Sequence, residues 1–213
     1  MIHGTSTRQG YLWRNPPYGG SVSKGVVDLA RALDFAARKH RDQRRKGAAS
    51  EPYINHPAEV ARIVAEATAG RDLVLVLGAL LHDTIEDTKT TQDELAREFG
   101  PEVASLVAEV TDDKGLAKAE RKRLQVKNAP HKTPRAKLIK IADKISNLRA
   151  ILASPPADWD LTRKREYFEW AAEVVAGCRG INPALDSQFD EAYQAGLASG
   201  FGSSPSSRSV STQ

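Results

Sequence analysis

The run LVLVLGALLHDTIEDT, from Leu73 to Thr88, decides between two architectures. Its first five residues are apolar without a break, and such a run does not fix its own period. As a strand it must pair its backbone N–H and C=O groups with a neighbour. No second strand-like run occurs in the chain, so the segment is predicted to open a buried helix that continues to about Asp87. The flanking sequence is helical in pattern. Val26, Leu29, Ala30, Leu33, Ala36, Ala37 and His40 recur at spacings of three and four, and Val60, Ile63, Val64 and Ala67 do the same. Before that second set, Asn55 is placed to cap and Pro57 is tolerated in a first turn. Thr91-Gln92-Asp93-Glu94 has the form of a capping box, and Gly100 with Pro101 ends one helix and opens another. Pro134 opens a helix whose apolar stripe is Leu138, Ile141, Ile145, Leu148 and Leu152. Two more helices carry Phe168, Ala171, Val174 and Val175, then Leu185, Phe189, Tyr193 and Leu197, all read as core. The fold class is all-α, a helical bundle.

Residues 1–23 mix Gly, Pro, Ser and Arg without periodicity and read as a loose N-terminal segment. Residues 199–213, SGFGSSPSSRSVSTQ, read as a disordered tail. One folded domain is expected between them, over residues 24–198. The 213 residues are 40% apolar, enough to fill a core of that size. No apolar run approaches the roughly 20 residues that cross a bilayer, and the N-terminus lacks the apolar region of a secretory signal. A single cysteine, Cys178, excludes an internal disulfide framework and fits a reducing cytoplasm. The formal net charge is only +4, with local basic clusters at Arg38 to Lys46 and Lys118 to Lys122. Those clusters suit a compact anion better than a nucleic-acid polymer, which calls for a dominant basic face.

The chemistry concentrates in His82-Asp83 and Glu86-Asp87. On a helix Glu86 lies four residues beyond His82, and Asp87 four beyond Asp83, so four ionisable groups gather near one helix end. Three carboxylates that close repel one another unless a cation or proton intervenes. His56 lies 26 residues before His82, and Asp143, which interrupts an apolar helix with Asn147 one turn on, lies 60 after Asp83. His56, His82, Asp83 and Asp143 form an H…HD…D pattern that suits one divalent ion. The mixed donors fit Mn²⁺, with Fe²⁺, Co²⁺ and Zn²⁺ left open. Glu86 and Asp87, not needed as ligands, are free to orient or deprotonate a water. Each residue alone has a plainer explanation as a surface, capping or helix-start residue; the combination is what carries weight.

At these positions the sequence resembles the hydrolase domain of RelA/SpoT homologues, and most closely the stand-alone small alarmone hydrolases of the metazoan SpoT homologue type. The matching segments run in order: DFAARKH from Asp34, QRRK from Gln43, PYINHP from Pro52 and LLHDTIEDT from Leu80. EVTDDK from Glu109, ERKRLQV from Glu120, ADK from Ala142, NLR from Asn147 and EYFEWAA from Glu166 follow. The resemblance spans about residues 26 to 195. It implies an HD-domain helical bundle and Mn²⁺-dependent removal of pyrophosphate from the 3′ position of (p)ppGpp. It further implies that His56, His82, Asp83 and Asp143 hold the metal and that Glu86 and Asp87 act on the water. Arg45 and Lys46 are then expected at the guanine, Asn147 near the ribose, and Lys118 and Tyr167 at phosphates. A planar guanidinium stacks well on a purine, and a lysine is a mobile point charge for phosphate. The chain is too short for the synthetase and regulatory domains of bifunctional members, so degradation without synthesis is expected. Two competing functions stand beside this one. One keeps the metal site but acts as a phosphatase on another nucleotide such as NADPH; the other is a non-catalytic nucleotide sensor, which should lack a ligand or the Glu-Asp pair.

Overall fold

A computed structural model describes residues 20–201; the remainder of the expected loose N-terminal segment and C-terminal tail lies outside these described residues. Ten α-helices follow one another: α1 (Gly20–Lys39), α2 (Asn55–Ala67), α3 (Leu73–Leu81), α4 (Thr84–Asp87), α5 (Gln92–Phe99), α6 (Pro101–Val110), α7 (Lys118–Asn128), α8 (Pro134–Ala153), α9 (Leu161–Ala176) and α10 (Pro183–Ala198). A 3₁₀ turn, Ala129–His131, joins α7 to α8. Among the described residues the only pairing of extended backbone is one antiparallel bridge, Arg44 with Pro52, at the neck of the α1–α2 loop.

The Leu73–Leu77 run is helical, as a lone apolar run must be when no strand is available to pair with it. α3 satisfies its own backbone and buries Leu75, Val76, Leu77, Leu80 and Leu81. Each such side chain contributes about 1.5–3 kcal/mol relative to exposure. The Asp72 carboxylate caps the helix by accepting from the Leu75 N–H at 3.1 Å. The helix stops at Leu81 and does not run to Asp87 as one piece. The Thr84 hydroxyl donates to the Leu81 carbonyl at 2.7 Å, and His82 Nδ1 sits 2.8 Å from the Ala79 carbonyl. Side chains thus take up carbonyls that a continuing helix would use, and α4 begins after Asp83.

α8 is the centre of the bundle. It packs against α2, α3, α6, α9 and α10, and from Leu138 to Ser146 every residue is buried. Four of those residues are polar or charged: Lys140, Asp143, Lys144 and Ser146. Lys140 Nζ donates to the Val110 carbonyl at 2.7 Å, so even the lysine has an internal partner.

Local signals are met unevenly. Thr91 Oγ1 accepts from the Glu94 N–H, and Gly100, at φ 89°, takes the left-handed backbone that favours glycine before Pro101. Glu94 itself pairs with Lys39 at 2.8 Å. Asn55 does not cap α2. The cap position falls on Ile54, which makes no side-chain bond, and Asn55 Nδ2 donates to Glu51 instead. On α1 the buried residues are Ala32, Phe35 and Ala36, with His40 buried just past its end, while Val26, Leu29 and Leu33 are exposed. The face is set by Phe35 meeting Phe99 edge-on at 5.3 Å, which rotates the helix away from the predicted stripe. α1 begins at Gly20, ahead of residue 24, and beyond Ala198 the Phe201 N–H bonds back to the Gly196 carbonyl at 2.8 Å.

Gly196 is buried on α10, and a Cβ there would collide with the Phe168 ring. Helix propensity alone favours Gly196→Ala by about 1 kcal/mol. Overpacking a rigid ring costs about 1–3 kcal/mol. The expected net outcome is destabilisation, read as a lower urea midpoint; a midpoint equal to or above the parent's would show that Phe168 moves aside freely.

Candidate metal centre

His56 enters from the first turn of α2, held by its N–H bonding the Tyr53 carbonyl at 2.9 Å. His82 and Asp83 come from the break between α3 and α4, and Asp143 from the middle of α8. The three elements bring the four side chains to one point. His56 Nε2 lies 3.2 Å from Asp143 Oδ1 and 3.6 Å from Asp83 Oδ2, and His82 Nε2 lies 3.1 Å from Asp83 Oδ2. Donor atoms of His56, His82 and Asp143 all fall within 4.8 Å of one another. The two imidazole rings meet edge-on at 5.2 Å.

Hydrogen bonds on the far side of each ring favour a cation at the centre. His82 Nδ1 faces a carbonyl, which only accepts, so Nδ1 carries the proton and Nε2 offers its lone pair. That Nε2 is buried and has no hydrogen-bond partner. A buried acceptor costs free energy unless something satisfies it. With two imidazole nitrogens and two carboxylates as donors, a borderline divalent ion fits the set.

In the metal-free chain a proton on His82 Nε2, 3.1 Å from Asp83 Oδ2, takes the cation's part. Burial opposes ionisation of Asp83, but the adjacent His82 overrides it and holds the carboxyl well below the usual range. Burial also opposes Asp143, and Lys144 at 2.8 Å together with His56 outweighs it. Desolvation lowers His56. It acts on His82 too, yet the charges of Asp83 and Asp143 prevail and raise that imidazole to about 9.

The Glu-Asp pair is held apart from the donors. Glu86 Oε2 accepts from the Asp112 N–H at 3.0 Å, and burial pushes its carboxyl up. Asp87 Oδ1 is paired with Lys114, and its Oδ2 lies 3.2 Å from the Tyr53 hydroxyl oxygen, as the weaker arm of a shared contact. The same hydroxyl donates to Asp83 Oδ2 at 2.7 Å. Burial, then those two carboxylates, raise the Tyr53 phenol, so it remains a donor.

Two clefts flank the centre and share Lys46, Trp159 and Tyr167. The smaller, about 240 Å³, is lined by Arg44, Arg45, Tyr53, His56 and Asn147. The larger, about 430 Å³, is lined by Glu86, Lys118, Arg121, Lys122 and Arg163 among others. Arg45 reaches Asn147 Oδ1 at 3.3 Å, and Asn147 Nδ2 donates to Asp143 Oδ1 at 2.6 Å. Tyr167 stands between Trp159 and Trp170, at 5.5 and 5.3 Å, and burial pushes its phenol up to about 12. It is therefore both packed and exposed to the clefts. All residues singled out in the sequence fall at the centre or its clefts except Asp87, which lies behind Tyr53 and lines neither cleft.

Sequence reasoning missed the residues bonded to these groups: Tyr53, Lys114 and Lys144, together with Ser146, whose Oγ lies 2.9 Å from His56 Nδ1, and Glu59, which accepts from Ser146. For Lys144 and Ser146 a signal existed, since both fall within the helix turn around Asp143 in an otherwise apolar segment. Tyr53, Glu59 and Lys114 carry no local mark.

Fold and centre together define an all-α hydrolase with a site for a divalent metal. The chain belongs to the HD domain family, which it matches over residues 32–169. It is 54% identical over 169 residues to guanosine-3′,5′-bis(diphosphate) 3′-pyrophosphohydrolase MESH1 of Homo sapiens, covering 79% of this chain and 94% of that one. A longer relative from Aquifex aeolicus, also a guanosine-3′,5′-bis(diphosphate) 3′-pyrophosphohydrolase, is 40% identical over 130 residues, or 58% of this chain and 18% of its own. A similar solved structure, with TM-score 0.76 and 42% identity, covers 84% of this chain and 97% of its own. It is described as a metazoan ortholog of SpoT that hydrolyzes ppGpp and plays a role in starvation responses.

His82 makes the metal-free protein pH-sensitive in one direction. Its folded value of about 9 lies above the ordinary 6.5, so its stabilising share is complete below the ordinary value and is lost as pH rises through about 9. The aspartates, with lowered values, act only on the acid side. With chelator present, the urea midpoint should fall between pH 6.5 and 9.5, and His82→Gln should flatten that fall. Parallel curves for parent and variant would remove the ion-pair account.

Proposed function

We propose that this protein is a guanosine-3′,5′-bis(diphosphate) 3′-pyrophosphohydrolase that uses one Mn²⁺ ion. The observation that carries the proposal is the meeting of His56, His82, Asp83 and Asp143 beside a cleft rich in lysine and arginine. The activity borne in the names of its similar relatives supports the choice of substrate. None of the four donors and neither acid of the Glu-Asp pair is absent, which counts against a sensor without turnover.

His56, His82, Asp83 and Asp143 would hold the ion. When bound, the ion lowers the pKa of water and offsets charge developing on phosphorus. The remaining work falls to the chain. Arg45 stacks on the guanine in the smaller cleft with Lys46 beside it, and Asn147 meets the ribose. Lys118 and Tyr167 meet phosphates in the larger cleft, where Lys122 adds charge over Tyr167 and Trp170 at 5.8 and 4.8 Å. Glu86, fixed at one oxygen by Asp112, accepts a proton from the attacking water. Asp87, pinned between Tyr53 and Lys114, orients that water through the same network. The water oxygen bonds to the phosphorus attached to the 3′ oxygen, and the bond between that phosphorus and the 3′ oxygen breaks. The 3′ oxygen gains a proton, and pyrophosphate leaves with the oxygen from water. Clustered cations around a dense double diphosphate favour a compact nucleotide over a nucleic acid, whose long backbone needs an extended basic stripe. No helix among the described residues is long and apolar enough to cross a membrane; a cytoplasmic setting is the one we propose, on the single cysteine.

Incubation of ppGpp with Mn²⁺ should give GDP and pyrophosphate in equal amounts. Orthophosphate as the product, or preferential turnover of NADPH, would move the assignment to another phosphatase. Asp83→Ala should abolish activity with no other divalent ion restoring it. Glu86→Gln should lower kcat on the order of 100- to 10,000-fold while Mn²⁺ binding persists; an unchanged kcat would take Glu86 out of that role.

A further inference from the structure

Behind His56, on the side away from the centre, lies a hydrogen-bonded chain that runs through the bundle. His56 Nδ1 is 2.9 Å from Ser146 Oγ, and Ser146 Oγ donates to Glu59 Oε2 at 2.7 Å. His56 and Ser146 are buried. Glu59, one turn along α2 from His56, is half-buried and lines an adjoining cleft of about 220 Å³ with Asn55 and Arg149, which shares Arg45 and Ser154 with the smaller cleft.

Proton counting fixes the direction of this chain. A serine hydroxyl has one proton to give, and a carboxylate can only accept. Ser146 spends its proton on Glu59, so its oxygen must accept from His56 Nδ1–H. With the proton on Nδ1, Nε2 presents a bare lone pair toward Asp83 and Asp143. His82 reaches the same tautomer through a plain backbone carbonyl. His56 differs in being anchored to an anion through an intervening hydroxyl, and neither Ser146 nor Glu59 is itself one of the four donors.

We propose that Ser146 and Glu59 are positioning residues for the metal centre: the Glu59 carboxylate, acting through Ser146, fixes the His56 tautomer and ring angle and strengthens Nε2 as a donor. This rests on the centre taking a divalent ion. Outer partners of metal-bound histidines are typically worth about 10- to 100-fold in metal affinity. A relay also predicts a specific coupling. Once Ser146 is gone, Glu59 has no route to His56, whereas a through-space charge effect would persist.

The test is Mn²⁺ titration of the full chain, by calorimetry and by electron paramagnetic resonance of free Mn²⁺, with thermal unfolding in chelator as the control for folding. Ser146→Ala should bind Mn²⁺ about 10- to 100-fold more weakly than the parent, with its metal-free unfolding temperature little changed. Ser146→Thr, which keeps the hydroxyl, should restore binding. Glu59→Ala should weaken binding alone but add nothing to Ser146→Ala. If Ser146→Ala fails to fold, Glu59→Ala and the hydroxyl-free Ser146→Cys carry the test, and parent-like affinity in either would overturn the proposal. Parent-like affinity in Ser146→Ala, or additive losses in the double variant, would overturn the relay, while loss of binding in Asp143→Asn would leave the assignment of the metal centre standing. A parent that takes up no Mn²⁺ would overturn both.

Discussion

The structure is organised around one costly arrangement: two imidazoles and two carboxylates buried at a single point. Moving such groups out of water costs several kcal/mol per ion unless each is paired. Every feature near the centre serves that pairing. Asp143 has Lys144 and Asn147, and Asp83 has His82 and the Tyr53 hydroxyl. Lys144 in turn lies 4.3 Å from the Trp170 ring, so even the counter-charge is enclosed, with an aromatic face beneath it. Burial works against its charge, yet Asp143 keeps the ammonium well above the ordinary lysine range. This is why residues 138–146 of α8 are buried all round although their sequence is not uniformly apolar.

The break between α3 and α4 is the second consequence. In a continuous helix adjacent residues point about 100° apart, because a turn holds about 3.6 residues. His82 and Asp83 keep right-handed helical backbone angles, so what changes at the break is the hydrogen bonding and the local turn. The turn at these residues brings His82 Nε2 and Asp83 Oδ2 to 3.1 Å. The bonds that end α3, from the Thr84 hydroxyl and the His82 ring, are therefore also the bonds that aim the donors. No glycine or proline marks the break, so helix termination and site construction are one local event.

That double role explains what was legible in the sequence. The all-α class, α3 as a helix and the gathering of His56, His82, Asp83 and Asp143 could be read from pattern and residue type. The break at His82 could not, because it depends on side chains bonding carbonyls, which leaves no trace in apolar periodicity. α1 shows a related failure. Val26, Leu29 and Leu33 have helical spacing, but Phe35 finds Phe99 some sixty residues away and turns a different face inward. Asn55 has the right chemistry for a cap and loses the position to Ile54 because the preceding turn, closed by the bond from the Asn55 N–H to the Pro52 carbonyl, already sets the chain direction. Tyr53 and Glu59 were silent for another reason: each matters through a partner, Asp87 or Ser146, whose proximity only the tertiary fold creates.

The two clefts carry the same logic into recognition. His56 is in the wall of the smaller cleft and Glu86 in the wall of the larger, so the centre lies where the two meet. The smaller has the flat guanidinium of Arg45 and the amide of Asn147, groups suited to a ring and its sugar. The larger has lysines and arginines spaced along α7 and α9, suited to phosphate. Burial and the neighbouring Lys118 lower the Lys122 ammonium, a strain that a bound anion would relieve. A ligand long enough to fill both clefts must lay the bond joining sugar to phosphate across the junction, which is where the four donors and Glu86 converge. On the proposed function, selectivity for that bond follows from the spacing of the clefts, and needs no contact that reads the bond itself.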